Sequence, residues 1–229
     1  MKNQRVVVAG GTSGIGLAVA RKAHISGAHV IIASRTADRQ HNDLLKEVGP
    51  NIETIAFDIT SDADIETLLK QVDSFQHLVI AVRPELENAP FKKLDMNKAR
   101  QGFDTKFWGS WNLIQKAQKQ LSEKGSITLT TGIAGEKIFP GASTMCVINS
   151  ALETLCRSLA VELAPIRVNA VSPGFVAPKT KETTEYSTHF PTGRLADAAE
   201  VAETFLYLMN HAYITGTTVI VDGGARLIG

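Results

Sequence analysis

Short apolar runs alternate with longer segments of helical period along the chain. The first run, Arg5–Ala9, is almost all valine, which suits a strand that is buried on both faces. Seven strands are predicted in this way: Arg5–Ala9, His29–Ala33, Ile52–Phe57, Leu78–Val82, Ile127–Thr130, Arg167–Ala170 and Thr218–Val221. Strands that alternate with helices are typical of an α/β fold, a parallel sheet with helices on both faces.

The segments between the strands predict helices and one long loop. Helices are predicted over Ser13–Ile25, Asn97–Leu121 and Ser143–Leu163. Ser61, with the carboxylate of Asp64 three residues on, marks the start of another helix. Residues 174–194 break the helical period with Pro, Lys, Thr, Glu and His, and a loop of this length is usually a lid or disordered. We therefore expect one domain over residues 1–229, with a substrate loop at about residues 175–194.

Composition narrows the possible partners. The chain has 229 residues, of which 44% are hydrophobic, and a net charge of +1 with its basic residues scattered. This argues against a nucleic acid or a membrane as partner, and no run approaches the roughly 20 apolar residues of a membrane span.

Cys146 and Cys156 lie about 15 Å apart on one predicted helix, too far for a disulfide. Free thiols and the lack of a signal-like apolar run predict a cytoplasmic protein, and no metal site is predicted.

A glycine-rich stretch follows the first strand directly and opens the first helix. Gly10 permits a tight turn, Gly14 lets a pyrophosphate approach the backbone, and Gly16 lets the helix pack on the strand. The free N–H groups of the helix and its positive end would then hold the phosphates. The cofactor contacts predicted in this stretch are Gly10, Thr12, Ser13, Gly14, Ile15 and Gly16.

The spacing Gly-x-x-x-Gly-x-Gly resembles that of the short-chain dehydrogenase/reductase family. Matching motifs follow in order as Phe57–Thr60, Ile166–Gly174, Tyr213–Gly216 and Val221–Gly224. The resemblance covers essentially the whole chain and implies a doubly wound Rossmann fold with a sheet of about seven strands. The further cofactor contacts expected on this basis are Asp58, Ile59, Ala81, Val82, Asn149, Pro173, Gly174 and Val176.

The end of the second strand indicates which dinucleotide is bound. A site for NAD places a carboxylate there, whereas an Arg accommodates the 2′-phosphate of NADP. Here the sequence is Ser34-Arg35-Thr36, with no acid before Asp38. A phosphate gains a charge-assisted hydrogen bond from Arg35, so we expect NADP(H) as the cofactor. The alternative is that Arg35 is a solvated loop residue.

The catalytic positions that the resemblance implies are all changed. Met145 stands where the family has its proton-donating Tyr, and Asn149 where it has Lys. Gly132 stands at the Ser position and Lys106 at the Asn position, and Arg83 replaces a glycine after the fourth strand. Met has no exchangeable proton, yet an acid near the developing alkoxide typically contributes about 10²–10⁴-fold in carbonyl reduction.

Two routes around the missing acid remain open. In the first, Lys106 is a substitute donor whose pKa is lowered by burial and by Arg83, while Thr131 orients a substrate oxygen; Tyr186 or His189 on the loop are further candidates. In the second, the substrate is an iminium or a conjugated alkene that needs no acid. Its pocket would be lined by Gly132, Met145 and Phe175.

Each of these residues also has a structural interpretation. Lys106 could reach solvent from a helix face, and Arg83 could form a structural salt bridge. The amide of Asn149 could bind ribose hydroxyls or only water. Tyr186 and His189 could be ordinary loop residues.

Three functions therefore stay open. The first is an NADP(H)-dependent oxidoreductase with a rebuilt active site and a small-molecule substrate such as a carbonyl, an imine or an activated alkene. The second is a non-redox enzyme on the same scaffold, and the third is a non-catalytic NADPH-binding protein.

The predicted helices Asn97–Leu121 and Ser143–Leu163 indicate whether the protein forms an oligomer. They carry apolar residues on more than one face: Phe103, Phe107, Trp108, Trp111, Val147, Leu152, Leu155 and Leu159. The resemblance implies a homodimer or homotetramer built on these helices, while packing within one monomer explains the same pattern.

Overall fold

All seven strands of the sheet are parallel in the computed structural model, which describes residues 1–86 and 88–228. The strands are β1 Arg5–Ala9, β2 His29–Ser34, β3 Ile52–Ala56, β4 Phe75–Ile80, β5 Leu121–Thr130, β6 Arg167–Pro173 and β7 Thr218–Val221. The helices are α1 Gly14–Ile25, α2 His41–Glu47, α3 Asp62–Val72, α4 Met96–Gly102, α5 Gly109–Ala117, α6 Ser143–Glu162, α7 Lys181–Tyr186 and α8 Ala198–Asn210. The predicted α/β class and strand number are confirmed.

The strand order is β3-β2-β1-β4-β5-β6-β7. The chain thus moves outward from β1 through β2 to β3, then returns to place β4 on the other side of β1. A crevice opens at this reversal, outside the carboxyl ends of β1 and β4, and ligands of such sheets bind there. Ala9 and Ile80 are paired at that edge.

Alternate residues of the central strand pack on opposite faces of the sheet. Val7 belongs to the core beneath α3, α5 and α6, whereas Val6 and Val8 belong to the core beneath α1 and α8. All three side chains are buried. This explains why β1 reads as an unbroken apolar run, since a strand covered on both faces has no polar side.

The predicted helix start at Ser61 is confirmed. The Oγ atom of Ser61 accepts a hydrogen bond from the Asp64 backbone N–H at 3.2 Å, and one carboxylate oxygen of Asp64 accepts from the Asp58 backbone N–H at 2.9 Å. The cap thereby ties the first turn of α3 to the end of the strand that precedes it.

The predicted helix over Asn97–Leu121 is wrong in its interior and at its end. It begins as α4, continues as a π-helical turn over Phe103–Trp108 and ends with α5 at Ala117. Leu121 instead begins β5, where it pairs with Phe75 at the start of β4. The long-range strand pairing overrides the local helical period.

Two further differences concern helices that the apolar pattern did not predict. The segment at 174–194 contains α7 and a 3₁₀ turn over Ser187–His189. Neither α2 nor α8 was predicted, although α8 has a capping box formed by Asp197 and Glu200.

Cys146 and Cys156 are both buried in α6 as free thiols, which confirms that they form no disulfide. Among the residues that the structure describes, none of the helices has the length and apolar character needed to cross a bilayer.

Candidate active site

A cavity of about 500 Å³ lies at the carboxyl edge of the sheet, at the strand-order reversal. It is open to solvent and has both polar and apolar walls. The predicted cofactor contacts that line it are Gly10, Thr12, Ser13, Ser34, Arg35, Thr36, Asp58, Ile59, Ala81 and Val82. Arg83, one of the three predicted catalytic residues, lies in the same wall. We call this cavity the cleft.

The remaining predicted cofactor contacts lie outside the lining of the cleft. Gly14, Ile15 and Gly16 form the first turn of α1, and Asn149 lies on α6. Pro173 ends β6, followed by Gly174 and Val176.

The glycine-rich turn leaves its backbone open to a ligand. Gly10 has a φ of +83°, and a Cβ there would lie 2.8 Å from the carbonyl of Ala81. A Cβ on Gly16 would collide with the Gly10 carbonyl, so α1 packs tightly on β1. A Cβ on Gly14 would instead meet nothing within 4 Å. Open space beside the amino-terminal turn of α1 fits a pyrophosphate.

Arg35 lies at the mouth of the cleft and is paired across it. Its Nη2 atom is 3.2 Å from Oε1 of Glu85, on the segment after β4, and both side chains are exposed. Ser34 donates to the Thr12 hydroxyl at 3.1 Å and accepts from the Thr36 backbone N–H at 3.3 Å. The hydroxyl of Ser34 thus links the glycine-rich turn to the Arg35 turn. Glu85 escaped sequence analysis because it is 50 residues from Arg35.

Lys106 is buried, with 5% of its surface exposed. Its Nζ atom donates to the carbonyl oxygen of Thr131 at 3.0 Å and to Oδ1 of Asn149 at 2.8 Å. Nδ2 of Asn149 in turn donates to the Gly132 carbonyl at 3.3 Å. A solvent-facing Lys106 and an Asn149 bound only to water are therefore both wrong. We call Lys106, Thr131 and Asn149 the lysine cluster.

The pKa of Lys106 is lowered from 10.5 to about 7. Burial is the largest cause, because the charged form loses its hydration. The carboxylate of Glu153 opposes this shift, and the positive charge of Arg83 adds to it. The expected depression by burial and by Arg83 is confirmed. An ammonium that titrates near neutral pH is well suited to give up a proton.

Thr131 contributes its carbonyl rather than its hydroxyl to the lysine cluster. The hydroxyl lies 3.1 Å from Oε1 of Glu153 and 3.3 Å from the Val171 carbonyl, both of which are acceptors. The hydroxyl therefore already has acceptors within the protein, and its orientation of a substrate oxygen stays a prediction. Glu153 is a residue that sequence analysis missed. Its spacing of four residues from Asn149 places both on one face of α6 and could have revealed it.

The π-helical turn positions Lys106. The turn covers Phe103–Trp108, and Ser110 in the following helix donates to the Lys106 carbonyl at 2.6 Å. Single π-turns inside α-helices occur often at functional sites. Within this turn Lys106 is buried while Trp108 is exposed.

Arg83 is exposed and lines the cleft. Within residues 1–86 and 88–228 it forms no ion pair and no hydrogen bond, so the structural salt bridge proposed for it is wrong. Thr105, the residue before Lys106, lines the same cleft, so the cleft and the lysine cluster are neighbours. The positive charge of Arg83 also lowers the pKa of Lys106.

The predicted substrate-pocket residues occupy different surroundings. Met145 is partly buried against the apolar core. A Cβ on Gly132 would lie 3.1 Å from Nδ2 of Asn149, so Gly132 allows the close approach of that amide. Phe175 belongs to an aromatic group with Tyr186 and Phe190. His189 lies beside this group, with its Nδ1 atom 3.2 Å from the carbonyl oxygen of Tyr186.

Comparison with known proteins agrees with this geometry. A family model described as enoyl-(acyl carrier protein) reductase matches residues 9–226. The short-chain dehydrogenase/reductase ATR9 of Stachybotrys chlorohalonatus is 32% identical over 251 residues, covering 99% of this chain and 98% of the relative. The 3-oxoacyl-[acyl-carrier-protein] reductase FabG of Haemophilus influenzae is 30% identical over 246 residues, covering 99% and 100%.

Solved structures give the same result. A small-chain dehydrogenase crystallised in complex with NADPH is 30% identical, with a TM-score of 0.87 over 99% of this chain and 100% of the other. A short chain dehydrogenase/reductase family protein is 32% identical, with a TM-score of 0.90 over 99% of both.

The doubly wound sheet and its glycine-lined cleft define a dinucleotide-binding oxidoreductase fold. The chain belongs to the short-chain dehydrogenase/reductase family. This confirms the family predicted from the sequence and the oxidoreductase class that goes with it.

Proposed function

We propose that the protein is an NADP(H)-dependent oxidoreductase that transfers hydride to or from a small organic substrate, with Lys106 as the proton donor in the reductive direction. The observation that carries this proposal is the lysine cluster. It offers a buried ammonium, with a pKa of about 7, beside the cleft of a dinucleotide-binding fold. It supplies the acid that Met145 cannot supply.

The residues of the cleft fit the cofactor. The first turn of α1 would hold the pyrophosphate. Arg35 would release Glu85 and bind the 2′-phosphate instead. The relative crystallised with NADPH supports this choice. The nicotinamide, when bound, supplies or accepts the hydride.

Lys106 can donate because its hydrogen bonds are incomplete. An ammonium has three donors, and the carbonyl of Thr131 and Oδ1 of Asn149 receive two of them. In residues 1–86 and 88–228 the third has no acceptor, and we infer that it serves the substrate oxygen, on which negative charge grows as a carbonyl is reduced. Proton transfer leaves Lys106 as a neutral amine, a form that its buried position favours.

The test is a fluorescence titration of the cofactor-stripped protein with NADPH and with NADH. The wild type is expected to bind NADPH more tightly, and Arg35→Ala is expected to weaken NADPH binding by about 10- to 100-fold, because a charge-assisted hydrogen bond is lost. NADH binding should change little. Arg39→Ala, an exposed arginine four residues on, is the matched control.

Equal losses for the two cofactors would contradict the assignment of Arg35. Turnover is followed in parallel as the fall of absorbance at 340 nm with carbonyls, imines and enones. NADPH binding without any such fall would favour the non-catalytic alternative, and product formation without NADPH consumption would favour a non-redox enzyme.

We also propose that the protein forms a homo-oligomer through the helical face around α5 and α6. Trp108, Trp111 and Val147 are 54%, 41% and 56% exposed there, an unusual exposure for such large apolar side chains. Trp111→Glu is expected to shift the protein to the monomer in sedimentation velocity. Tyr213→Glu, a similar change at a residue that is 95% exposed elsewhere, is the control. A monomeric wild type would contradict this proposal.

A further inference from the structure

Within the described part of the chain, Glu153 is the one carboxylate with a hydrogen bond to the lysine cluster. Its Oε1 atom accepts from the Thr131 hydroxyl at 3.1 Å, and the carbonyl oxygen of the same Thr131 accepts from Nζ of Lys106 at 3.0 Å. Thr131 is 4% exposed and Lys106 is 5% exposed, so both hydrogen bonds end on buried side chains. Glu153 and Lys106 are thus joined through one buried residue.

The helix that carries Glu153 also meets Lys106 directly. Asn149 lies one turn before Glu153 on α6, and side chains four residues apart lie on the same face of a helix. Oδ1 of Asn149 accepts from Nζ of Lys106 at 2.8 Å. Both groups that accept from Nζ are neutral, one amide and one backbone carbonyl. The negative charge of this arrangement therefore comes from Glu153.

Close packing fixes the position of the Glu153 carboxylate. A Cβ on Gly135, in the turn after β5, would lie 3.0 Å from Oε1 of Glu153 and 3.1 Å from Cβ of Asn149. The Ser150 hydroxyl donates to the Gly135 carbonyl at 2.7 Å. The turn is thereby held against the same face of α6, directly after Thr131.

Glu153 is not used by the arginine on its own helix. Arg157 lies one turn further on, a spacing that favours an ion pair. Nη2 of Arg157 instead donates to the Thr154 hydroxyl at 3.0 Å. Glu153 forms no ion pair with any residue that the structure describes, and its hydrogen bond is the one from Thr131. Its carboxylate is therefore turned towards the lysine cluster.

The charges around the pair agree with this geometry. Burial raises the pKa of Glu153, which Arg157 lowers, Glu136 raises and Lys106 lowers through their charges. For Lys106, burial lowers the pKa, the carboxylate of Glu153 raises it and Arg83 lowers it. Each member of the pair thus favours the charged form of the other.

We propose that Glu153 is a positioning residue for the reaction: through Thr131 it holds an acceptor against Lys106, and its carboxylate stabilises the ammonium that donates the proton. The inference rests on the proposed function, because it names what sustains the proton donor of that reaction. A buried ammonium has lost its hydration, and a nearby opposite charge restores part of the stabilisation that water would have given.

The test follows the protonation of Lys106 itself, by NMR titration of its Cε signal in protein that contains isotope-labelled lysine. The signal is assigned by its absence in Lys106→Met. Glu153→Gln keeps an acceptor for Thr131 but removes the charge, so the midpoint of the titration is expected to fall by about 0.5 to 1 pH unit. Glu153→Leu removes the acceptor as well and should lower the midpoint at least as far.

The matched control is Glu162→Gln. Glu162 is an exposed carboxylate at the end of the same helix, and it too accepts from a hydroxyl, that of Ser158 at 2.6 Å. Its loss should leave the midpoint of Lys106 in place. An unchanged midpoint in Glu153→Gln would overturn the proposal, and so would an equal shift in Glu162→Gln.

The pH profile of NADPH-dependent reduction supplies the second measurement. In Glu153→Gln the fall in rate with rising pH should begin at a lower pH, by the same interval as the NMR midpoint, while KM changes little. A rate that falls equally at every pH would mean a purely structural role and would overturn the proposal.

The proposed function fails separately, because the NMR titration needs neither cofactor nor substrate. A midpoint that shifts in Glu153→Gln, in a wild type that consumes no NADPH with any substrate, would overturn the oxidoreductase proposal and leave the pairing of Glu153 with Lys106 intact.

Discussion

Lys106→Met is expected to lower kcat for NADPH-dependent reduction by about 10²–10⁴-fold, the usual contribution of a general acid. The thioether nearly matches the length of the lysine stem but carries no proton. KM should change little if Lys106 acts mainly in the chemical step. Stopped-flow measurement of the 340 nm decay gives the rate. Lys119→Met, an exposed lysine in the segment after α5, is the control.

The same variant has a signature that does not need a substrate. Burial lowers the pKa of Lys106 to about 7 in the folded protein, whereas the unfolded chain keeps the ordinary value of 10.5. Between these values the unfolded state binds more protons, so this lysine makes the free energy of unfolding rise with pH, by at most about 1.4 kcal/mol per pH unit. Below pH 7 the buried charge destabilises the fold in full.

Lys106→Met should therefore lack this slope and be more stable than the wild type at pH 6, as measured by denaturant unfolding from pH 6 to 10. In the wild type, the rate of reduction should also fall as pH rises through about 7, because the ammonium loses its proton. Full activity in Lys106→Met, or an unchanged slope of stability with pH, would rule out this lysine as a buried acid.

Asn149→Asp is expected to move the pH dependence of reduction upward by about one to three units. The new carboxylate would stand where Oδ1 now lies, 2.8 Å from Nζ of Lys106, and an opposite charge at that distance favours the ammonium. At pH 9 the variant would thus retain activity that the wild type has lost. Asn149→Leu removes the acceptor and should move the profile the other way.

Shifts of the pH profile in opposite directions in these two variants would show that Asn149 has a positioning role. If the role of Asn149 were purely structural, both substitutions would lower activity equally at every pH. Ser150→Asp is the matched control, because it adds the same charge one residue away on an exposed part of α6. A pH profile that stays in place in both Asn149 variants would mean that Asn149 does not set the pKa of Lys106.

Much of the nucleotide half of the molecule follows from short stretches of sequence. The valine run of β1, the glycines after it and Arg35 after β2 each lie within a few residues of the element that positions them, so spacing alone predicts their arrangement. The helix start at Ser61 is local for the same reason. By contrast, α8 was missed although Asp197 and Glu200 form a local cap, so there the signal was present but unused.

The boundaries of the longer elements depend on partners far along the chain. The predicted helix that ran to Leu121 stops at Ala117 because β5 begins early to pair with β4. The π-turn before α5 has no signature in the apolar period, since one extra residue in a helix changes which side chains face inward without changing their types.

The sequence by itself determined the sheet and the glycine-rich turn, because each is a matter of residue type and short spacing. That Met145 stands in place of the family's proton-donating residue stays a prediction from the same kind of spacing. Only the tertiary structure decided how Lys106 meets Asn149, 43 residues away, and how Arg35 meets Glu85. The reason is physical. The pKa of a buried lysine depends on its burial and on charges within a few ångströms, and both quantities exist only once distant segments have packed together.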